Sequence, residues 1–175
     1  MIYEDVKVNG ALECVQPNCT HCVRFASVTQ NTPATPILDD QICFALYSAS
    51  RALTARYREL LDPLGVTYPQ YLVLLVLWEA GDSTVSGLGE RLRLDSGTLS
   101  PLLRRLEKAG LISRTRRADD ERSVRVSLTG RGSALRLQAA TIPERICAAT
   151  GMDLSDIRTL RGQLIGVAEH VRASH

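Results

Sequence analysis

The sequence lacks the features that define several large classes of protein. No apolar run in its 175 residues approaches the ~18 residues of a membrane span, and the start, Met1–Asp5, has no basic segment followed by a hydrophobic block. A phosphate-binding glycine loop is also absent, and His170 and His175 fall in the C-terminal tail, where they make no plausible triad. We therefore expect a cytoplasmic protein that is neither an enzyme nor bound to a membrane, and that needs no cofactor.

Charge is distributed unevenly along a chain of otherwise ordinary composition. With 45% apolar and 23% charged residues, a chain of this length buries enough surface to fold without disulfides or metal. Ten arginines and one lysine face six acidic residues between Ser86 and Arg131, a local charge of +5 within a net charge of +2. Such a basic segment is typical of nucleic-acid-binding modules, although the same excess of arginines would also be found on a solvated charged surface.

The N-terminal part of the chain divides into an extension and a helix. Residues 1–36 show no sustained periodicity and end in the breaker-rich run 31–36, so we expect a poorly ordered extension. A first helix, within a dimerisation segment 37–65, is predicted with Asp39 or Asp40 as its cap. Its apolar stripe recurs at steps of three and four: Ile42, Leu46, Ala49 and Leu53.

A second, strongly apolar helix is predicted to begin at Thr67, which forms a capping-box pattern with Gln70, and to stop at Gly81. Two short helices follow. The first opens at Thr84 or Ser86, and the second is capped by Asp95 and ended by Gly110.

A strand over 111–115, a charged loop and an alternating strand over 123–128 predict a β-hairpin. Two short helices followed by a hairpin indicate a winged helix-turn-helix, assigned to 66–130, whose second helix enters the major groove. The fold class is therefore mainly α with a small β-hairpin wing.

The C-terminal segment, 131–175, is predicted to hold further dimerisation helices. One is opened by Thr129 and bent at Pro143. The last has an apolar seam suited to pairing with another helix: Ile157, Leu160, Leu164, Val167 and Val171.

Two stretches of the DNA-binding segment, 95–111 and 119–129, resemble the MarR family of dimeric winged-helix repressors. Two others, 40–51 and 65–78, are similar to the organic hydroperoxide resistance regulators (OhrR) within that family. The resemblance covers residues 38 to 175. It implies a homodimer that binds double-stranded operator DNA and takes an organic hydroperoxide as its inducer.

Cys43 begins a stripe of polar side chains on the first predicted helix, which continues with Tyr47, Ser50, Thr54 and Tyr57. A lone helical cysteine is usually an inert small hydrophobe, but a line of hydroxyls with one thiol is unusual for a plain core. Tyr57 is 14 residues from Cys43, about 21 Å along a straight helix, so the two do not touch within one chain. Two helices packed antiparallel across a twofold axis would bring them together.

The resemblance implies that Cys43 is the peroxide-reactive thiol, hydrogen-bonded by Tyr57 and Tyr68 of the partner subunit. Tyr47, which follows Cys43 on the polar stripe, is a further candidate for stabilising the thiolate. Phenolic donors favour the charged thiolate, which attacks the O–O bond and becomes a sulfenic acid. Cys147 is the candidate second thiol that forms an intersubunit disulfide; the alternative is a buried structural thiol. An apolar pocket of Phe44, Leu46 and the second helix would favour alkyl or fatty-acyl hydroperoxides.

The DNA-reading residues are predicted on the second short helix and on the wing. Short hydroxyls at the start of the helix, followed by two arginines, suit phosphates and base edges: Ser96, Thr98, Ser100, Arg104 and Arg105. Three arginines of the hairpin are predicted phosphate contacts: Arg114, Arg116 and Arg117. The resemblance implies that Arg122, braced by Asp120, enters the minor groove.

Two rival functions remain open from the sequence. Cys14, Cys19 and Cys22 have part of a ferredoxin-type spacing, and His21 adds a possible zinc ligand, so an iron–sulfur or zinc-containing regulator is one alternative. The other is a MarR-type regulator that binds an aromatic ligand reversibly. The substitution Cys43→Ser distinguishes this ligand sensor from a peroxide sensor, because a ligand sensor keeps its induction and a peroxide sensor loses it.

Overall fold

Helices dominate the protein, which a computed structural model describes over residues 37–116 and 124–174. In this part of the chain, a short 3-10 helix, Asp62–Leu64, follows the first helix. The α-helices are α1 (Ile42–Leu61), α2 (Tyr68–Ala80), α3 (Val85–Leu92), α4 (Ser96–Lys108), α5 (Gly130–Ala139), α6 (Ile142–Thr150) and α7 (Leu154–Ala173). The strands are β1 (Ser83–Thr84), β2 (Ile112–Arg116) and β3 (Val124–Leu128).

The hydrophobic core forms around α2, which is apolar on nearly every side. Val73 and Leu74 are fully buried, and Leu77 is 1% exposed, as the apolar run in the sequence predicts. The core continues through the helix-turn-helix and the wing in Leu88, Leu99, Leu103, Leu106, Ile112 and Val126. The same core also includes Leu60 and Leu61 of α1 and Leu135 of α5, so one continuous core joins the helix-turn-helix and the wing to the flanking helices.

Local capping sets the ends of the helix-turn-helix. Thr84 accepts the N–H of Gly87 at 3.0 Å, and Asp95 accepts the N–H of Thr98 at 2.8 Å. The helix α4 then ends in a left-handed turn at Gly110, where the N–H of Leu111 reaches back to the carbonyl of Leu106. These starts and this stop confirm the boundaries predicted from the sequence.

The cap of α1 differs from the prediction. The helix begins at Ile42 with Gln41 at the N-cap position. The predicted caps, Asp39 and Asp40, precede the cap position in the sequence, and Gln41 itself makes no side-chain cap hydrogen bond.

The three strands form an antiparallel sheet in the order β1–β3–β2. Ile112 pairs with Leu128 and Arg116 with Val124, so β2 and β3 make the predicted hairpin. The strand β1 pairs Ser83 with Val126 and was not predicted, because two residues are too few to show a period. Helices followed by this small sheet confirm the mainly α, winged helix-turn-helix fold.

The predicted bend at Pro143 is a break between two helices. The helix α5 ends at Ala139 and α6 starts at Ile142, with Pro143 in its first turn. The missing N–H of proline costs nothing there, because a first-turn N–H has no partner within the helix. Cys147 consequently belongs to α6 and not to the helix opened by Thr129.

The two longest helices expose much of their apolar surface. The helix α1 buries only Leu60 and Leu61, and α7, described over its whole length, has no buried residue. The exposed apolar side chains on the two helices include Ile42, Tyr47, Leu53, Leu160, Leu164, Val167 and Val171. Among the described residues no single helix is long and apolar enough to cross a membrane; α1 with its 3-10 extension and α2 pass that test only as a pair bent by 70°.

Candidate redox and nucleic-acid sites

Cys43 is the second residue of α1, and its side chain is exposed. Its neighbour Phe44 and the predicted pocket residue Leu46 are each 37% exposed. A single protomer therefore leaves the thiol at the surface and does not enclose it in the apolar pocket that the sequence suggested.

A stack of aromatic rings lies at the opposite end of α1. The rings of Tyr57 and Tyr68 have centroids 4.4 Å apart, and Tyr71 lies 6.0 Å from Tyr57. Trp78 continues the series, 6.0 Å from Tyr71 in an edge-on arrangement. The sequence singled out Tyr57 and Tyr68 but missed Tyr71 and Trp78. Their helical spacing was visible, because Tyr71 is three residues after Tyr68 and Trp78 is seven residues after Tyr71.

Cys147 lies next to this stack. The helix α6 packs against α1, and the thiol is partly buried. Burial, the neighbouring phenols of Tyr68 and Tyr71, and the charge that Cys147 can carry raise the pKa of Tyr57 to about 12. Burial raises the pKa of Tyr68 as well. Both phenols therefore keep their protons at neutral pH and are available as hydrogen-bond donors.

The predicted redox residues thus form two groups in one protomer. Tyr57, Tyr68 and Cys147 are close together, whereas Cys43 is 14 residues, about 21 Å, away along α1. Tyr47 lies one turn after Cys43 on α1, and its hydroxyl accepts a hydrogen bond of 2.9 Å from Arg51, one turn further along. The assignment of Tyr47 to the Cys43 thiolate stays a prediction.

The helix α4 presents most of the predicted DNA-reading side chains to solvent. Leu99, Leu103 and Leu106 hold its inner face in the core. On the outer side, the exposed predicted residues are Ser96, Thr98, Arg104 and Arg105, while Ser100 is half-buried.

One of these residues already has a partner. The hydroxyl of Thr98 donates to Asp95 at 2.8 Å, and its N–H bonds the same carboxylate. These bonds lower the pKa of Asp95, so the cap stays ionised. In the free protein, Thr98 therefore contributes to the helix cap.

The arginines of the wing differ in their surroundings. Arg114 donates from Nε and Nη2 to Oε2 of Glu107, at 2.9 and 2.6 Å, so the predicted phosphate contact is paired with a carboxylate. Arg116 is exposed at the end of β2. The predicted residues Arg117, Asp120 and Arg122 lie outside the described residues.

The rival function would require a metal or cluster site. Within residues 37–116 and 124–174, no three His, Cys, Asp or Glu side chains are grouped to hold a metal ion. Cys14, Cys19, Cys22 and His21 lie outside the described residues, so the iron–sulfur or zinc alternative stays untested.

Comparison with known proteins decides the family. The MarR family model matches residues 66–124. The organic hydroperoxide resistance transcriptional regulator of Bacillus subtilis is 48% identical over 132 residues, which are 75% of this chain and 90% of that protein. The chain belongs to the MarR family. Within that family, this similarity supports the OhrR subgroup, and both findings confirm the resemblance seen in the sequence.

Solved MarR-family structures agree with this assignment. Reduced AbfR bound to DNA is similar at a TM-score of 0.64 and 34% identity, over 77% of this chain and 94% of that one. Disulfide-formed AbfR is similar at a TM-score of 0.55 and 34% identity, over 75% and 92%. AbfR is a protein of Staphylococcus epidermidis. The MarR-family fold of this chain is thus shared with a protein solved in reduced, DNA-bound and disulfide states.

Proposed function

We propose that this MarR-family protein is a homodimeric repressor that binds operator DNA and releases it when an organic hydroperoxide oxidises Cys43. One observation carries the proposal: Tyr57, Tyr68 and Cys147 gather at one end of α1, while Cys43 lies exposed near the other. Two phenolic donors can stabilise a thiolate, and a second thiol can condense with a sulfenic acid. Within one chain these groups lie about 21 Å from Cys43.

A twofold dimer would unite the two groups. Antiparallel packing of α1 from two subunits places Cys43 of one near Tyr57 and Tyr68 of the partner subunit, and the reverse contact forms by symmetry. The exposed apolar side chains of α1 and α7 support such an interface, because isolated helices of this kind leave a large apolar area in water. The segments 37–65 and 131–175 would then form the dimerisation region.

The proposed chemistry has two steps. The Cys43 thiolate attacks an oxygen of the hydroperoxide; the O–O bond breaks, sulfur is oxidised to sulfenic acid, and the alkoxide takes a proton to leave as an alcohol. The thiol of Cys147 from the partner subunit then attacks the sulfenic sulfur. A disulfide forms, and the hydroxyl leaves as water. Tyr57 and Tyr68, protonated at neutral pH, would donate hydrogen bonds to the attacking thiolate.

DNA binding would use α4 and the wing of each subunit. Two recognition helices in a dimer reach half-sites about one helical turn apart, roughly 34 Å. The exposed Arg104, Arg105 and Arg116 supply positive charge for phosphates and base edges. A disulfide between α1 of one subunit and α6 of the other would alter the distance between the two recognition helices. A 100-fold loss of affinity requires about 2.7 kcal/mol, a small demand on a covalent link.

The proposal is tested by DNA release. The probe is a fluorescein-labelled duplex whose sequence the reduced protein selects from a random pool, and the readout is anisotropy before and after one equivalent of cumene hydroperoxide. We expect release by the wild type and retention by Cys43→Ser. A background in which Cys14, Cys19 and Cys22 are all serine serves as the matched control and should respond like the wild type.

Other results would contradict the proposal. Continued release by Cys43→Ser would favour a reversible ligand, and loss of release in the background without the three N-terminal cysteines would favour a metal or cluster there. Failure to select any DNA sequence would remove the repressor function itself.

A further inference from the structure

An ion pair joins the recognition helix to the wing at the point where the chain passes from one to the other. Glu107 is in the last turn of α4, and Arg114 is the third residue of β2. Their side chains are 36% and 30% exposed, compared with 67% and 56% for the pair of Glu79 with Arg91 on α2 and α3. The Glu107–Arg114 pair is thus better shielded from solvent and salt than an ordinary surface pair.

Neither helix preference nor DNA binding by itself explains a carboxylate at position 107. The last turn of a helix carries partial negative charge, which disfavours an acidic side chain. A carboxylate near a DNA-binding surface also repels phosphates. Arg114 offsets both effects, and its hydrogen bonds hold the pKa of Glu107 below the usual value. Glu107 is therefore acceptable at this position because Arg114 accompanies it.

The strand directs Arg114 towards α4. Successive side chains of a strand alternate between faces, so Arg114 shares a face with the buried Ile112. It pairs across the hairpin with the fully buried Val126. Arg114 also lines a groove of about 570 Å³ between α3, α4 and the wing, together with Ser96 and Ser100. Its side chain therefore lies between the two elements that are proposed to read DNA.

We propose that Glu107 and Arg114 are positioning residues for DNA recognition, and that Arg114 acts through Glu107 and not on a phosphate. The pair fixes the angle between α4 and the wing, which must match the DNA for a helix in the major groove and a hairpin beside it to bind together. An angular error at the base of the hairpin grows with distance along it, so loss of the pair weakens specific binding. This inference rests on the proposed DNA-binding function and revises the sequence-based role of Arg114.

Affinity and its salt dependence test the pair. We would measure anisotropy at several KCl concentrations with two probes, the selected duplex described above and a scrambled duplex of the same composition. Glu107→Gln and Arg114→Gln should each weaken binding to the selected duplex about tenfold, equivalent to about 1.4 kcal/mol. The double variant should lose no more affinity for the selected duplex than the single variant that binds it more weakly, because the two residues act as one unit. The salt slope and the affinity for the scrambled duplex should not change.

A direct phosphate contact gives the opposite pattern. Arg114→Gln would then weaken binding to both duplexes and reduce the salt slope by about 0.9 per lost contact. Glu107→Gln would strengthen binding, because it frees the guanidinium. Either result overturns the proposal.

A control variant separates positioning from stability. Glu79→Gln breaks the exposed pair with Arg91 and should leave the affinity within about twofold. Urea midpoints are measured for every variant, and binding is assayed well below them. If the folded Glu107→Gln protein binds the selected duplex like the wild type, the pair is only structural and the proposal fails. If the wild type selects no DNA sequence, the proposed function fails instead.

Discussion

Replacing Gly132 by alanine tests how the wing is joined to the C-terminal helices. Gly132 is the third residue of α5, and a Cβ there would lie 2.0 Å from the carbonyl oxygen of Leu111, at the start of the wing. That oxygen accepts the N–H of Thr129 at 3.1 Å. The carbonyl of Gly132 itself accepts the indole N–H of Trp78 at 3.0 Å. Hydrogen bonds therefore hold both sides of the contact, and neither side moves freely.

The size of the effect follows from this geometry. Relief of the clash requires a backbone shift of about 1 Å or more, since real Cβ contacts lie beyond 3.0 Å. Overpacking of this kind costs about 1–3 kcal/mol, and a weakened hydrogen bond adds about 1 kcal/mol. We expect Gly132→Ala to lower the free energy of unfolding by about 2–4 kcal/mol.

Urea unfolding at equal protein concentration measures the loss. Gly130→Ala, two residues earlier in α5, is the matched control, because its Cβ would meet nothing within 4 Å. That variant should be unchanged or more stable by up to about 1 kcal/mol, since alanine restricts the unfolded chain. The reasoning is refuted if Gly132→Ala is as stable as Gly130→Ala.

Two further predictions concern the redox and DNA sites. Tyr57→Phe should slow the oxidation of Cys43 by cumene hydroperoxide on the order of tenfold, because it removes a hydrogen bond to a charged group, whereas the control Tyr71→Phe should not. Trapping of the sulfenic acid measures both rates. Equal rates in the wild type and in Tyr57→Phe would contradict the role of Tyr57 as a hydrogen-bond donor to the thiolate. The Arg114 hydrogen bonds hold the pKa of Glu107 below that of an unfolded glutamate, which is ~4.3. The pair therefore stabilises the fold at a pH above the unfolded pKa, and this stabilisation is lost as the pH falls through the folded pKa. The difference in urea midpoint between wild type and Glu107→Gln should therefore shrink as the pH falls below about 4, and a constant difference would contradict the assignment.

Much of the fold was predictable because local signals mark each element of the helix-turn-helix. Thr84 and Asp95 cap the two helices, and Gly110 supplies the left-handed residue that ends the second. The strand β1 was missed because two residues carry no periodicity. At Pro143, a single proline is compatible with both a bend and a new helix, and only the packing of α6 on α1 distinguishes them.

For the redox and DNA sites, the sequence revealed neighbours along one helix but not pairs that meet only in the fold. Cys43 and Tyr57 share a helical stripe, which their spacing reveals. The proximity of Cys147 to Tyr57, which is seen in its effect on the pKa of Tyr57, joins residues 90 positions apart and has no signature in periodicity. The pairing of Glu107 with Arg114 was missed for a similar reason, because it crosses a turn between a helix and a strand, and the sequence shows Arg114 only as one of many basic residues.

Crossed dimers test the central claim most directly. Chains carrying Cys43→Ser are mixed with chains carrying Cys147→Ser, both in the background without Cys14, Cys19 and Cys22, then allowed to exchange subunits and treated with cumene hydroperoxide. A mixed dimer holds one Cys43 and one Cys147, on different chains. The account predicts a dimer-sized band on a non-reducing gel from the mixture and from neither variant alone, with a Cys43–Cys147 peptide by mass spectrometry. Oxidation of Cys43 in the mixture without this cross-link would contradict it.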